Sequence, residues 1–423
     1  MTEDARRIHP VEKIDAAIHV PPSKSYTNRA LIVAALAEGD SELIHPSLSD
    51  DSKFMVNGLR EFGVDVRRRG EVLDVAGTGG VLQSPKNEIF VGNAGTAMRF
   101  LATFASLANG TAALNGDEQM QQRPIGDLLA ALREAGITST SNKGYPPVTI
   151  HGGNFSGGRI GINATISSQY ASSILLCAPY ARRQVILHIK GEIKSLPYID
   201  MSLHVMRSFG AEVEVIDLHN YRVSNSQKYV AREFKVEADA TSATYFFAAA
   251  ALSHGSVRVS NLSSDSLQGD LKFLNVLSDM GCAIVKQENG IEVCGSKLLG
   301  VEVDMSNMPD CVPTLAVVAA FAEGSTRISN VAHLRYKETN RLKALAIELQ
   351  KIGAGVELLE DGLIIHPKQL HGAEIETYND HRIAMSFAIA GLKVDGISIR
   401  NPSCVSKSFP NFWKEFEKLE QGN

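Results

Sequence analysis

SKSYTNRALIVAALA, residues Ser23 to Ala37, sets a polar, cationic turn directly before an apolar run. From Ala30 onward the run has no polar stripe, so it predicts a helix buried on every side, with alanines that let neighbours approach closely. The phrase recurs as NAGTAMRFLATFASLA from Asn93, SSQYASSILLCAPYA from Ser167, DATSATYFFAAAAL from Asp239, DCVPTLAVVAAFA from Asp310 and NDHRIAMSFAIAGL from Asn379. Successive starts are 69 to 74 residues apart, and a period sustained along a whole chain marks an architecture built of similar units.

A second signature lies between the copies: LREFGVDV, LREAGITS, MRSFGAEV, LSDMGCAI and LQKIGAGV, with Gly63, Gly136, Gly210, Gly281 and Gly353. A glycine just past an amphipathic helix is the usual left-handed terminator, and the alternating residues after it predict strands. Each unit therefore reads as roughly βαβαββ, with the Ala-rich helices inside and sheet outside. At 423 residues the chain exceeds one ordinary core, and six units divide into two domains of three. The polar connection KYVAREFKVEADA, around Lys235 to Asp239, is the expected boundary. The opening strand, Ile14 to Val20, precedes the first unit and can pair in either half.

Composition narrows the function classes. With 44% hydrophobic and 21% charged residues the chain is globular, and a net charge of -5 gives no footing for nucleic acid or a membrane surface. The opening MTEDARRIHPVEKID lacks an apolar signal core, and no stretch reaches spanning length without polar interruption, so a cytoplasmic protein is expected. Cys177, Cys282, Cys294, Cys311 and Cys404 are scattered without CxxC spacing, and the histidines form no HExxH motif. That pattern argues against disulfides and against a metal site.

The apolar helices open at Ser, Asn or Asp, residues that cap the free N–H groups of a first turn. Helices that start from equivalent turns are expected to direct their anion-attracting N-termini toward one end of each domain, so that facing domains share a phosphate-binding cleft. Lys24, Arg29, Arg99, Arg123, Lys337, Arg341, Arg382 and Lys407 lie in or near such turns. An unpaired cation entering a buried helix is costly. These residues call for anionic partners, either a ligand's phosphate or carboxylate or the nearby Asp310, Glu338 and Asp380.

PSKSYTNR at Pro22, GNAGTAMR at Gly92, GDEQMQQRP at Gly116, SSQYASS at Ser167 and SLPYID at Ser195 are followed by PDCVPTLAV at Pro309, LRYKETNR at Leu334, YNDHRIAM at Tyr378 and CVSKSFPNFW at Cys404. In this order the motifs resemble the 5-enolpyruvylshikimate-3-phosphate (EPSP) synthase family over nearly the whole chain. The resemblance implies an inside-out α/β barrel fold of two domains, 21–237 and 1–20 plus 238–423, with the active site in the cleft between them. It implies transfer of the enolpyruvyl group of phosphoenolpyruvate to the 5-hydroxyl of shikimate 3-phosphate, with release of phosphate through a tetrahedral intermediate. The pathway is aromatic amino acid biosynthesis. No metal or organic cofactor is implied, and the partners are small-molecule substrates, not nucleic acid or membrane, bound by a monomer.

By the same resemblance Asp310 is the general base, Glu338 donates the proton to the methylene carbon, and Lys24 and Lys337 complete the catalytic set. Shikimate 3-phosphate falls to Lys24, Ser25, Arg29, Ser167, Ser168, Gln169, Ser195, Tyr198, Asp310, His333 and Lys337. Phosphoenolpyruvate falls to Lys24, Gly95, Arg123, Gln169, Arg341, Arg382 and Lys407. Because these come from both domains, productive binding is expected to need closure, which expels water. Three positions depart from the family pattern: His333 for Asn or an acid, Asn340 for Asp, and Phe100 for Pro or Leu. The sister reaction on a UDP-amino sugar is disfavoured, because its loop cysteine is missing from GDEQMQQRP. An RNA 3'-phosphate cyclase is disfavoured by the acidic chain and the six units. A binding module without catalysis is disfavoured by Lys24, Asp310, Glu338 and Lys407 occurring together.

Overall fold

A computed structural model describes residues 5–287 and 290–421. The chain separates into two compact units, Pro22–Val236 and the segments up to Pro21 and from Glu237 onward. Of the domain ranges read from the sequence, residues 1–4, 288–289 and 422–423 lie outside the described residues.

In the Pro22–Val236 unit the helices Lys24–Leu36, Gly95–Ala105 and Gln169–Cys177 pack on one another, and nearly every residue in them is buried. Leu31, Ile32, Leu101, Phe104, Ile174 and Leu175 are fully enclosed. Each such side chain contributes about 1.5–3 kcal/mol of burial free energy. Three amphipathic helices, Asp50–Glu61, Gly126–Glu134 and Pro197–Ser208, bury one face each. Gly58 permits one close approach, since a Cβ there would lie 2.2 Å from Leu101 Cδ1. The five glycines that end the amphipathic helices all take positive φ, from 84° to 112°.

Three four-stranded sheets complete this unit, and they share one pattern. Gly158–Asn163 pairs parallel with Val185–Lys190, which pairs antiparallel with Asn220–Val223, and Val213–Asp217 closes the hairpin. Ile89–Phe90, Thr111–Asn115, Tyr145–His151 and Thr138–Asn142 repeat that order. In the first sheet the parallel edge is Glu233–Lys235, from the far end of the unit, laid against Asp40–Ile44.

In the other unit the helices Ala240–Ser253, Val312–Ala319 and His381–Gly391 are buried at every residue, as their unbroken apolar runs require. Asp15–Ile18 pairs parallel with Ser256–Val259, which settles the strand that periodicity leaves open. The sixth repeat departs from βαβαββ. Glu374–Ile375 and Ser398–Arg400 pair parallel, but the expected hairpin is replaced by Ala5–Arg7, antiparallel to Ser398–Arg400. The chain beyond turns helical at Pro402–Lys407 and Phe412–Glu420.

The caps also depart from expectation. Ser23 accepts from the Tyr26 N–H, Asp239 from Ser242 and Asp380 from Arg382. The helices beginning at Gly95, Gln169 and Val312 have no such side-chain bond at the cap position. Asn93 and Asp310 are drawn away from capping because each holds an arginine instead.

Candidate active site

The charged residues predicted from sequence assemble within each unit separately. In the Glu237–Gln421 portion, Asp310 lies in the turn Pro309–Cys311, ahead of the buried Val312–Ala319 helix. Its Oδ1 accepts from Arg341 Nη1 at 2.9 Å and lies 3.8 Å from Lys337 Nζ, while Oδ2 accepts from Arg382 Nη2 at 2.8 Å. Burial alone would push this carboxyl up, but Arg382, Lys337 and Arg341 outweigh it and hold Asp310 well below the usual carboxylate range.

Arg341 opens the helix Arg341–Lys351 and has almost no exposed surface. It also bonds Glu338 Oε2 at 2.7 Å and both oxygens of Asp380, at 2.8 and 3.2 Å. Burial opposes its charge, yet Asp380, Glu338 and Asp310 together raise its pKa further above the ordinary arginine value. Lys407 Nζ stands 4.0 Å from Glu338 Oε1. Arg382 Nη1 reaches the Tyr245 hydroxyl at 3.2 Å. Lys337, Arg341, Arg382 and Lys407 thus meet Asp310, Glu338 and Asp380, four cations against three acids.

His333 is buried on the short helix Ala332–Tyr336. Asn340, in place of the family's Asp, is the N-cap of the next helix and accepts from the Lys343 N–H at 3.1 Å. A neutral amide performs that cap as well as an acid.

In Pro22–Val236, Lys24 Nζ lies 2.8 Å from Asp51 Oδ2 at the start of the Asp50–Glu61 helix. Arg29, 1% exposed, spends its N–H groups on neutral acceptors: Ser202 Oγ, the Ser25 and Tyr198 carbonyls, and Ser172 Oγ at 3.4 Å. No carboxyl pairs with it among the described residues. Burial lowers its pKa to about 10, against the pull of Tyr198 and Tyr26. Its guanidinium also stacks 5.4 Å from the Phe100 ring and 5.8 Å from the Tyr198 ring. A buried cation held only by neutral acceptors could take an anion as partner.

Ser167 Oγ accepts from the Gln169 N–H at 3.2 Å, and Ser168 is buried at the head of the same helix. Ser195 sits in the left-handed region at φ 59°, a costly conformation for a non-glycine, just before the helix that carries Tyr198. Gly95 begins the helix Gly95–Ala105, and a Cβ there would lie 2.5 Å from Arg123 Nη2 and 2.7 Å from Arg99 Nη1. Any side chain there would have to displace these guanidinium groups. Arg123 is anchored on Asn93 at 2.9 Å, and Arg99 on the Pro124 carbonyl at 3.0 Å.

Arg99, Asp51 and Asp380 belong with these groups, although the sequence reading gave none of them a substrate. Arg99 shares the GNAGTAMR motif with Gly95, and that motif could have flagged it.

The EPSP synthase (3-phosphoshikimate 1-carboxyvinyltransferase) family model matches residues 8–416. The chain belongs to the EPSP synthase family. A 3-phosphoshikimate 1-carboxyvinyltransferase of Trichormus variabilis is 41% identical over 411 residues, 96% of each chain. That of Shewanella amazonensis is 42% identical over 424 residues, 98% of this chain and 99% of its own. A solved EPSP synthase of Acinetobacter baumannii superposes with a TM-score of 0.82 at 27% identity, covering 98% of both chains. This EPSP synthase family member is an enolpyruvyl transferase of the shikimate pathway, acting on phosphoenolpyruvate and shikimate 3-phosphate. No helix among the described residues is long and apolar enough to cross a membrane.

Proposed function

We propose that the two charged groups form one active site, in a cleft between domains 21–237 and 1–20 plus 238–423, each folded as half of an inside-out α/β barrel. The observation that carries the assignment of roles is that Asp310 and Glu338, the two acid–base candidates, are held 2.9 and 2.7 Å from one guanidinium, that of Arg341. An acid and a base fixed on one rigid fork stand ready on either side of a reacting centre.

In this reading Arg29, Ser25, Ser167, Ser168, Gln169, Ser195, Tyr198 and His333 hold shikimate 3-phosphate. Its phosphate supplies the anion that buried Arg29 otherwise lacks. Arg341, Arg382 and Lys407, with Gly95, Gln169 and Arg123, hold phosphoenolpyruvate, while Lys24 and Lys337 lie between the substrates. The substrate anions take over the cations that now neutralise Asp310, which frees its carboxyl to accept the 5-hydroxyl proton. Glu338, which takes up a proton once phosphoenolpyruvate draws Arg341 and Lys407 away from it, donates that proton to the methylene carbon as the C–O bond forms at the adjacent carbon. Reversal of the proton flow then expels phosphate and restores the enol double bond. Closure would exclude water and strengthen each of these interactions. The enzyme is read as a cytoplasmic monomer.

Phosphate release by the purified protein tests the reading. Release should require both substrates and no added metal. Turnover unaffected in both Asp310→Asn and Glu338→Gln would remove the assigned roles.

A further inference from the structure

Glu348 carries a carboxyl with no exposed surface on the Arg341–Lys351 helix, two turns beyond Arg341. Its neighbours on that helix, Leu342, Leu345 and Leu349, are ordinary core residues. An acid in such a place is costly unless its bonds matter. Its Oε1 accepts from the Tyr378 hydroxyl at 2.8 Å, and its Oε2 from the Glu376 N–H at 3.1 Å and Lys351 Nζ at 2.6 Å. The end of the helix thereby grips the segment leading into Tyr378. The start of the same helix grips the segment leaving it, through the bonds from Arg341 to Asp380.

Between these grips, Tyr378 and Asn379 both sit at φ 54°, two consecutive non-glycine residues in the left-handed region. Such residues persist only where their surroundings hold them. Asn379 Oδ1 accepts at 3.1 Å from Asn401, itself at φ 46° and directly before Pro402–Lys407. Asp380 also caps the helix that carries Arg382. The turn therefore joins the three elements that bear Arg341, Arg382 and Lys407.

We propose that Glu348, acting through Tyr378, is a positioning residue that holds this strained turn so that the three cations converge on phosphoenolpyruvate. The inference rests on the proposed role of Arg341, Arg382 and Lys407. Glu348 itself is enclosed and acts on the substrate only through the turn.

The test compares Glu348→Gln and Tyr378→Phe with the parent enzyme in steady-state assays that vary each substrate. Each variant should raise KM for phosphoenolpyruvate roughly tenfold, well inside the ~100-fold that a misplacement of about 1 Å can cost. KM for shikimate 3-phosphate should hold. A purely structural role would shift both KM values together, or neither, and would overturn the proposal. If Glu348→Gln does not fold, Tyr378→Phe, which removes one hydroxyl, decides alone. Arg382→Lys in the same assays separates the two layers. If it raises KM for phosphoenolpyruvate while the Glu348 and Tyr378 variants do not, the positioning role falls and the clamp stands. If Arg382→Lys leaves that KM unchanged, the clamp reading falls and the positioning role with it.

Discussion

Asp380 accepts from two nitrogens of Arg341, at 2.8 Å from Nε and 3.2 Å from Nη2, with both side chains closed to solvent. Breaking a buried pair by removing one partner leaves the other charge stranded, at a cost of about 3–5 kcal/mol. Asp310 and Glu338 still face Arg341, so Asp380→Ala should lose about 3 kcal/mol, at the low end of that range. Denaturant unfolding of the parent and the variant measures it, and a loss below about 1 kcal/mol would mean the other two acids suffice.

Asp310→Asn and Glu338→Gln should each lower kcat about a hundredfold, in the range expected for one acid–base group. Substrate affinity, read by calorimetric titration, should fall much less. A loss confined to affinity would leave both residues as ligands only.

Arg29→Ala should weaken shikimate 3-phosphate binding by about 3 kcal/mol, roughly a hundredfold, since a buried hydrogen-bonded charge is removed from its anion. Arg29→Lys should recover little, because the lysine lacks the fork that bonds Ser202, Ser25, Ser172 and Tyr198 together. Equal affinity in the lysine variant would show that charge alone is needed.

Gly95→Ala puts a methyl group where Arg123 Nη2 and Arg99 Nη1 lie within 2.7 Å of the new carbon. Both guanidinium groups must shift, so KM for phosphoenolpyruvate should rise on the order of tenfold, with KM for shikimate 3-phosphate steady. Equal rises in both constants would point instead to a disturbed helix.

Asp270 gives a pH signature. Burial first, then the Asp310 charge, push its carboxyl up to about 6, although the Thr241 hydroxyl donates to it. The unfolded chain releases this proton near pH 4. Between those values the folded state binds the extra proton, so this contribution to stability is full below pH ~4 and is lost as pH rises through about 6. Asp270→Asn should therefore show a flatter stability profile from pH ~4 to ~6. An unchanged slope in that window would assign the titration to another group.

The buried helices were legible because an apolar run with no polar stripe, as in Ala240–Ser253, has no surface solution. The sixth repeat was not, because its missing hairpin is supplied by Ala5–Arg7, three residues that read as a charged tail until their partner Ser398–Arg400 is known. Asn93 and Asp310 read as caps from spacing alone, and only tertiary contact shows that arginines claim them. Asp50 and Asp51 are indistinguishable in LSDDSKF. In the fold Asp50 meets its neighbour Lys53 and Asp51 reaches Lys24. The cation-bearing motifs were readable as motifs, but the sharing of Arg341 among three acids belongs to packing that no local pattern encodes.

The pairing of Asp15–Ile18 with Ser256–Val259 bears on how the protein is made. A ribosome adding about 5–20 residues per second leaves that strand without its partner for on the order of tens of seconds. During this wait Pro22–Val236 emerges with every strand of its three sheets, down to Glu233–Lys235 against Asp40–Ile44, and can finish first. Ala5–Arg7 waits longer still, for Ser398–Arg400. Birth order here inverts assembly order: two strands made before Pro22–Val236 find their partners only after it.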